Sequence, residues 1–282
     1  MPIAFAKYEG LGNDFVIVEG PEHSPELLAA ADQAVQLCDR HRGLGADGVL
    51  VIEHAQSSAI PVMRVINADG SRPEMCGNGL RCVALHLVRT GVRPANIPFE
   101  IETDSGPHTC NVASRARQSD VEVSMRPASL EPESVPVVAL APVLDEPFTI
   151  GRNIVHLSCV SMGNPHAVTF DDIQADLRVT LGPLLEKHPR FPRAANIGFA
   201  RMVGTQTIEL AVWERGVGFT EACGTGACAC AVAAVETARA TRHVPIDIHL
   251  PGGTLQILVT GRGERIGMTG PARHVFDGTF EL

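Results

Sequence analysis

The sequence predicts an α+β protein of two pseudo-symmetric halves. Each is a curved, barrel-like mixed β-sheet wrapped around a central helix, with the active site at the interface of the two. Three observations predict this. The first is a repeat: Glu74, Cys76, Gly77 and Gly79 recur 147 positions later as Glu221, Cys223, Gly224 and Gly226. The same offset carries Asn67 to Glu214, Ile101 to Ile248 and Gly106 to Gly253, a gapless register that marks two copies of one architecture. The second is the abundance of short apolar or alternating runs. The third is the segment ACACAVAAVETARA after Cys223, which as a helix is apolar nearly all round and must be buried.

Taken in order, runs at 3–8, 14–19, 48–53, 61–67, 97–102 and 120–125 read as strands. Ser24 to Asp39 reads as a helix, with Ser24 at its cap and Pro25 in its first position. MRVINADG (63–70) runs from a strand into a turn, as does LAVWERGVG (210–218), and in each copy CGxG then opens a helix. Residues 127–150, with repeated Pro, Glu and Val, read as an extended connector that a helix cannot occupy. Strands follow at 154–160, 166–171, 197–203, 206–214, 245–250 and 254–260. The segment HVFDGTFEL (274–282) is expected to return as a strand to the first half. The halves are therefore 1–130, joined by 274–282, and 131–273. Upstream the register drifts: LGNDFV (11–16) matches MGNPHAV (162–168), with Asn13 and Asn164 now 151 apart, as loop insertions would produce.

Composition narrows the function classes. No apolar run among the 282 residues approaches the roughly 20 of a membrane span, and the first residues lack a basic-then-apolar leader, so a cytoplasmic protein is expected. The net charge is −9, without a dense Lys/Arg cluster, which argues against a nucleic-acid surface. Lys7 and Lys187 are the only lysines, which disfavours pyridoxal-phosphate chemistry. The eight cysteines include no CxxC pair, and Cys228-Ala-Cys230 is not a usual zinc spacing. No metal and no cofactor are expected. GLGADG (43–48) matches GxGxxG, but a helix precedes it and a strand follows, the reverse of a dinucleotide site.

Cys76 and Cys223 carry the chemistry. Each opens a helix, where free backbone N–H groups and the macrodipole favour negative charge. A thiol there is expected to fall from about 8.5 toward neutrality, and the same N–H groups can grip a carboxylate. Two such helix starts brought together would hold one carboxylate between them and place a sulfur on each face of its α-carbon. One thiolate would take the α-proton while the opposite thiol delivers another, inverting the centre. A single Cys-Gly turn is more often a packed cap, but two in register weaken that reading. A Cys-His hydrolase would leave the second cysteine unexplained, and a binding module would need no matched thiols.

The motifs GNDFV (12–16), DRHRGLGADG (39–48), NADGSRPEMCGNGLRC (67–82), SMGNPHAV (161–168), AANIGF around Asn196 and WERGVGFTEACGTGACA (213–229) resemble those of the diaminopimelate epimerases across nearly the whole chain. The resemblance implies interconversion of LL- and meso-diaminopimelate, in lysine and peptidoglycan synthesis. It makes Cys76 and Cys223 the acid/base pair and assigns the α-carboxylate to Gly77, Asn78, Gly224 and Thr225. Asn13, Asn67, Asn164, Asn196, Glu214 and Arg215 would hold the rest of the substrate, and His166 and Glu214 are candidates to tune the thiols. The partner is a small molecule, with no nucleic acid and no membrane; the family is often a homodimer. Many members have Gln where this chain has Gly48, which removes one substrate contact or gives it to water. Many have Glu where this chain has Phe219, beside the second helix start. A racemase of another amino acid on the same scaffold is the near rival.

Overall fold

Strand Gln118–Met125 alternates exposed and buried residues along its length, the period-two signature of a strand with one face on a core. The same logic recurs through the chain, which is strand-rich with few helices. The computed structural model describes residues 3–19, 31–54 and 60–281, so the expected cap at Ser24 and Pro25 lies outside the described residues. The elements are β1 Ile3–Gly10, β2 Asn13–Glu19, α1 Ala31–Cys38, β3 Gly48–His54, β4 Pro61–Asn67, α2 Gly77–Arg89, β5 Phe99–Thr103, β6 Gly106–Val112 and β7 Gln118–Met125. They continue with β8 Glu146–Ile150, β9 Asn153–Ser161, β10 Pro165–Thr169, α3 Ala175–Glu186, β11 Asn196–Gly204, β12 Thr207–Glu214, β13 Gly218–Thr220, α4 Gly224–Glu236, β14 Ile246–Leu250, β15 Gly253–Leu258 and β16 Ile266–Phe280.

The chain divides into two compact units, Met1–Ser124 with Thr269–Leu282, and Met125–Met268. In the first unit the strands follow the order β1 to β7 and then β16, and β16 pairs back onto β1 from Ile3↔Phe280 to Glu9↔Arg273. That pairing closes the sheet into an eight-stranded barrel, which leaves no free edge among the described strands. Within it α2 packs against β1, β2, β3, β4 and β6, and every residue from Gly77 to Val88 is buried. The shorter α1 lies on β3 and β4, where Ala34, Leu37 and Cys38 join a second core layer with Val49, Val51 and Ile66.

The second unit repeats the pattern. Its order is β8-β9-β10-β11-β12-β14-β15, with β13 on β12. Pairings from β9 onward alternate antiparallel, parallel, antiparallel, parallel, antiparallel, as they do from β1 to β6 in the first unit. The central helix here is α4, which touches β9, β10, β11, β12, β14 and β15. Its alanines and cysteines are small enough to let the barrel wall approach closely: a Cβ added at Gly226 would lie 3.1 Å from Val212 Cγ2.

The 127–150 stretch contains no helix, but it is more than a connector. Val135, Val137 and Val143 are buried in the core that Phe148, Leu157, Leu185 and Phe199 share, and β8 occupies its end. Of the segment expected to return as a strand, residues 274–280 belong to β16, which begins earlier, at Ile266, and Leu282 lies outside the described residues.

Candidate active site

Both cysteine helices begin in the same way. Cys76 is the N-cap of α2, with φ −134° and ψ 115°, and its Sγ accepts the Gly79 N–H at 3.4 Å. Cys223 is the N-cap of α4, with φ −128° and ψ 105°, and its Sγ accepts the Gly226 N–H at 3.4 Å. In each case the sulfur stands where Ser or Asp usually caps a helix, among amide donors that have no partner within the helix. Gly77 and Gly224 are the first residues of the two helices. The environments differ. Cys76 is half-buried, and Cys223 is only 6% exposed.

In the first unit, one rim of the barrel carries the start of β2, the start of β3, the end of β4 and the N-terminus of α2. Gly48 pairs with Phe15 on one side and with Asn67 on the other, which fixes the three strand ends level. Asn67 donates through Nδ2 to Ser71 Oγ at 2.9 Å, inside its own turn. Asn13 and Asn78 meet directly: Asn78 Nδ2 donates to Asn13 Oδ1 at 3.1 Å. Fully buried Arg81 donates through Nη2 to Asn78 Oδ1 at 3.0 Å and through Nε to the Pro271 carbonyl at 3.3 Å. Asn13 Nδ2 donates to Asp47 Oδ2 at 2.7 Å, and the Asp14 N–H joins the same oxygen at 3.0 Å. Arg40 bridges Asp14 and Asp47 at 2.6 and 2.7 Å, and Lys7 pairs with Asp14 at 2.5 Å. Burial works to raise the Asp14 carboxyl, but hydrogen bonds from Arg40 and Lys7 outweigh it and hold it below its ordinary range.

The second unit has a matching rim. His166 and Asn196 are register partners on β10 and β11. Asn196 Nδ2 donates to the Pro165 carbonyl at 3.0 Å, and its Oδ1 accepts the Arg215 N–H at 2.9 Å. A second chain leads to the sulfur. His166 Nε2 lies 3.0 Å from Asn164 Oδ1, Asn164 Nδ2 donates to Thr225 Oγ1 at 3.3 Å, and Thr225 Oγ1 is 3.6 Å from Cys223 Sγ. Since Asn164 spends its N–H on Thr225, its carbonyl oxygen must accept from His166, which assigns the Nε2–H tautomer. Glu214 accepts the Thr220 hydroxyl at 2.6 Å and stands beside Cys223.

Two expectations from sequence change here. The helix start does not bring the Cys223 thiol toward neutrality. Burial raises it well above its ordinary range, the Glu214 charge pushes the same way, and the hydrogen bonds from Thr225 and Gly226 do not offset them. His166 reaches Cys223 through Asn164 and Thr225, by the chain just given. It is 1% exposed, and burial together with the charge of Arg215 lowers it to about 3, so it is a neutral donor two residues removed from Cys223. The departures from the family motifs also acquire a physical setting. A Cβ at Gly48 would lie 2.9 Å from the Ile66 carbonyl oxygen, so the β4 backbone fills the space of any side chain there. Phe219 packs edge-on against Trp213, with ring centroids 5.3 Å apart.

Sequence reasoning did not single out Arg81, Asp47, Arg40, Thr220 or Glu186. Arg81 and Asp47 fall inside the motifs quoted above, and a charged residue within an apolar helix was the available signal for Arg81. Among the described residues, no group of three or more His, Cys, Asp or Glu side chains is placed to hold a metal ion, and no helix is long and apolar enough to cross a membrane.

The diaminopimelate epimerase family profile matches residues 5–131 and 158–275. The chain is 42% identical over its full length to the diaminopimelate epimerase of Acaryochloris marina, covering 99% of that protein. It is 43% identical to that of Synechocystis sp., with each chain covered completely. Among solved structures, a hydroxyproline epimerase from Agrobacterium vitis superposes with a TM-score of 0.69 at 16% identity, over 99% of this chain and 91% of that one. Fold and likeness together define the class, an isomerase of the epimerase and racemase kind. The chain belongs to the diaminopimelate epimerase family.

Proposed function

We propose that the chain interconverts LL- and meso-diaminopimelate by moving the α-proton between two thiols, without a cofactor. The observation that carries this reading is the matched pair of caps, each a sulfur accepting a glycine N–H at 3.4 Å at the start of a 13-residue buried helix. The chemistry requires both sulfurs at one α-carbon. A thiolate takes the α-proton, the C–H electron pair moves into the carboxylate as an enediolate, and the opposite thiol gives its proton to the other face. Backbone N–H groups at Gly77, Asn78, Gly224 and Thr225 hold the carboxylate and its growing charge. Cys223, raised by burial, carries the proton in the resting protein, which leaves Cys76 to begin as the base.

Asn13, Asn67, Asn164, Asn196, Glu214 and Arg215 hold the remainder of the substrate. The carboxylate of Glu214 suits an ammonium and the fork of Arg215 suits a carboxylate, so the set fits an amino acid that is polar at both ends. In this reading the enzyme serves lysine and peptidoglycan-precursor synthesis in the cytoplasm as a homodimer; sedimentation of the purified protein as a monomer would remove the last element. The deciding experiment incubates reduced protein with LL-diaminopimelate in heavy water. One α-deuterium per molecule with formation of the meso isomer supports the reading. Deuterium exchange only into a different amino acid would transfer the activity to that substrate.

A further inference from the structure

Helix α3 ends on Glu186, a carboxylate only 6% exposed. Burying a carboxylate costs several kcal/mol unless strong hydrogen bonds replace its water, and here two donors replace it. Oε2 accepts the indole Nε1–H of Trp213 at 2.8 Å, and Oε1 accepts the backbone N–H of Gly216 at 3.1 Å. Trp213 and Gly216 bracket Glu214 and Arg215 in the chain. One carboxyl group therefore ties down both sides of the hairpin tip that presents those two side chains.

The tip is fixed from other directions as well. It is a tight turn, closed by the Val217 N–H on the Glu214 carbonyl at 3.0 Å, with Gly216 at φ 78° in the position that requires glycine. Asn196 Oδ1 accepts the Arg215 N–H, and Arg215 Nη1 donates to the Arg193 carbonyl at 2.9 Å. Helix α3 itself is locked onto the indole. Gly182, one turn before Glu186 on the same face, lies so close that a Cβ would sit 2.7 Å from Trp213 Cδ2.

We propose that Glu186 is the positioning residue for Arg215, and that α3 is the buttress that sets where its guanidinium meets the substrate's distal carboxylate. This rests on the reading of Arg215 as a substrate contact. A purely packing role would be filled by any apolar side chain of similar volume. The two N–H donors, on opposite sides of the dipeptide, reach two different oxygens, an arrangement a carboxylate supplies and an amide, which turns an NH2 toward one of them, does not.

The test compares Glu186→Gln, Arg215→Met and the double variant in steady-state kinetics with LL-diaminopimelate. Trp213 is the only tryptophan, so emission reports the clamp directly. Glu186→Gln is expected to shift that emission and raise KM about tenfold with kcat changed less than about threefold. Arg215→Met is expected to raise KM at least as much, and the double variant to match Arg215→Met alone. If Arg215→Met raises KM and Glu186→Gln does not, the positioning role is overturned and the reading of Arg215 stands. If Arg215→Met leaves KM unchanged, the reading of Arg215 falls and the proposal with it. Should Glu186→Gln fail to fold, Trp213→Phe removes one donor and keeps a ring; a KM rise absorbed by Arg215→Met supports the proposal, and additive losses overturn it.

Discussion

Asn78 donates to Asn13 Oδ1 at 3.1 Å across 65 positions of sequence, and this bond is the middle link of a chain with one direction. Arg81 can only donate, so Asn78 presents its oxygen to Arg81 and its NH2 to Asn13. Asp47 can only accept, so Asn13 presents its NH2 to Asp47. A buried cation and a carboxylate thus fix the orientation of both amides.

Asn13→Asp removes the donor of one link and sets two carboxylates against each other. A loss of about a hundredfold in kcat/KM is expected. Adding Asp47→Asn restores a donor between the two positions and should recover part of that loss, because the double variant re-forms the Asn13–Asp47 link in the opposite sense. Steady-state kinetics of the two singles and the double check this; strict additivity would show that the link is not coupled.

Glu214→Gln removes a negative charge beside Cys223 while keeping an acceptor for Thr220. That charge raises the thiol, so its removal lowers it. If Cys223 is the resting acid, the alkaline limb of the kcat/KM profile should move to lower pH in the variant. An unmoved limb would separate Cys223 from that titration.

His166 titrates at 6.5 in an unfolded chain and at about 3 in the folded one. Between those values the unfolded chain binds a proton that the native state refuses. Stability therefore falls as pH falls below about 6.5, by up to ~1.4 kcal/mol per unit. Between pH 6.5 and 5 the lowered carboxyl of Glu19, held near 2 chiefly by its hydrogen bond from His86, contributes little, since its loss begins near 4.5. Denaturant melts at pH 7 and 5 should show the decline in the parent and a flatter response in His166→Gln.

Gly48→Ala places a methyl 2.9 Å from the Ile66 carbonyl oxygen. The backbone of β4 must shift, at a cost of ~1–3 kcal/mol. Gly48→Gln should be destabilised at least as much and gain no activity. Thermal melts with parallel assays decide; a Gln variant as stable as the parent would mean that β4 yields freely.

The parts of the fold written in local pattern were legible in the sequence. The CGxG pairs, the strand runs and the apolar helix after Cys223 each follow from neighbours within a few residues, and the offset of 147 joins the copies. Helix α3 was not read because Gly182 and Pro183 interrupt it, and Gly182 is there for its contact with Trp213. Strand β6, GPHTCNV, and strand β8, inside a proline-rich stretch, carry too little apolar pattern to declare themselves. At the site, the cysteines and asparagines stand in recognisable motifs. Their supports do not, since Arg81 reaches Pro271 and Glu186 reaches Gly216 only after folding. The rise at Cys223 also depends on burial, which a helix start alone does not reveal.

The two-thiol account is tested most directly by closing the sulfurs on each other. Mild oxidation of ligand-free protein, with peptide mapping and assay of the same samples, should show activity lost in proportion to a Cys76–Cys223 disulfide and regained on treatment with dithiothreitol. Protein mapped as fully bridged between those two residues that still epimerises its substrate would contradict the account.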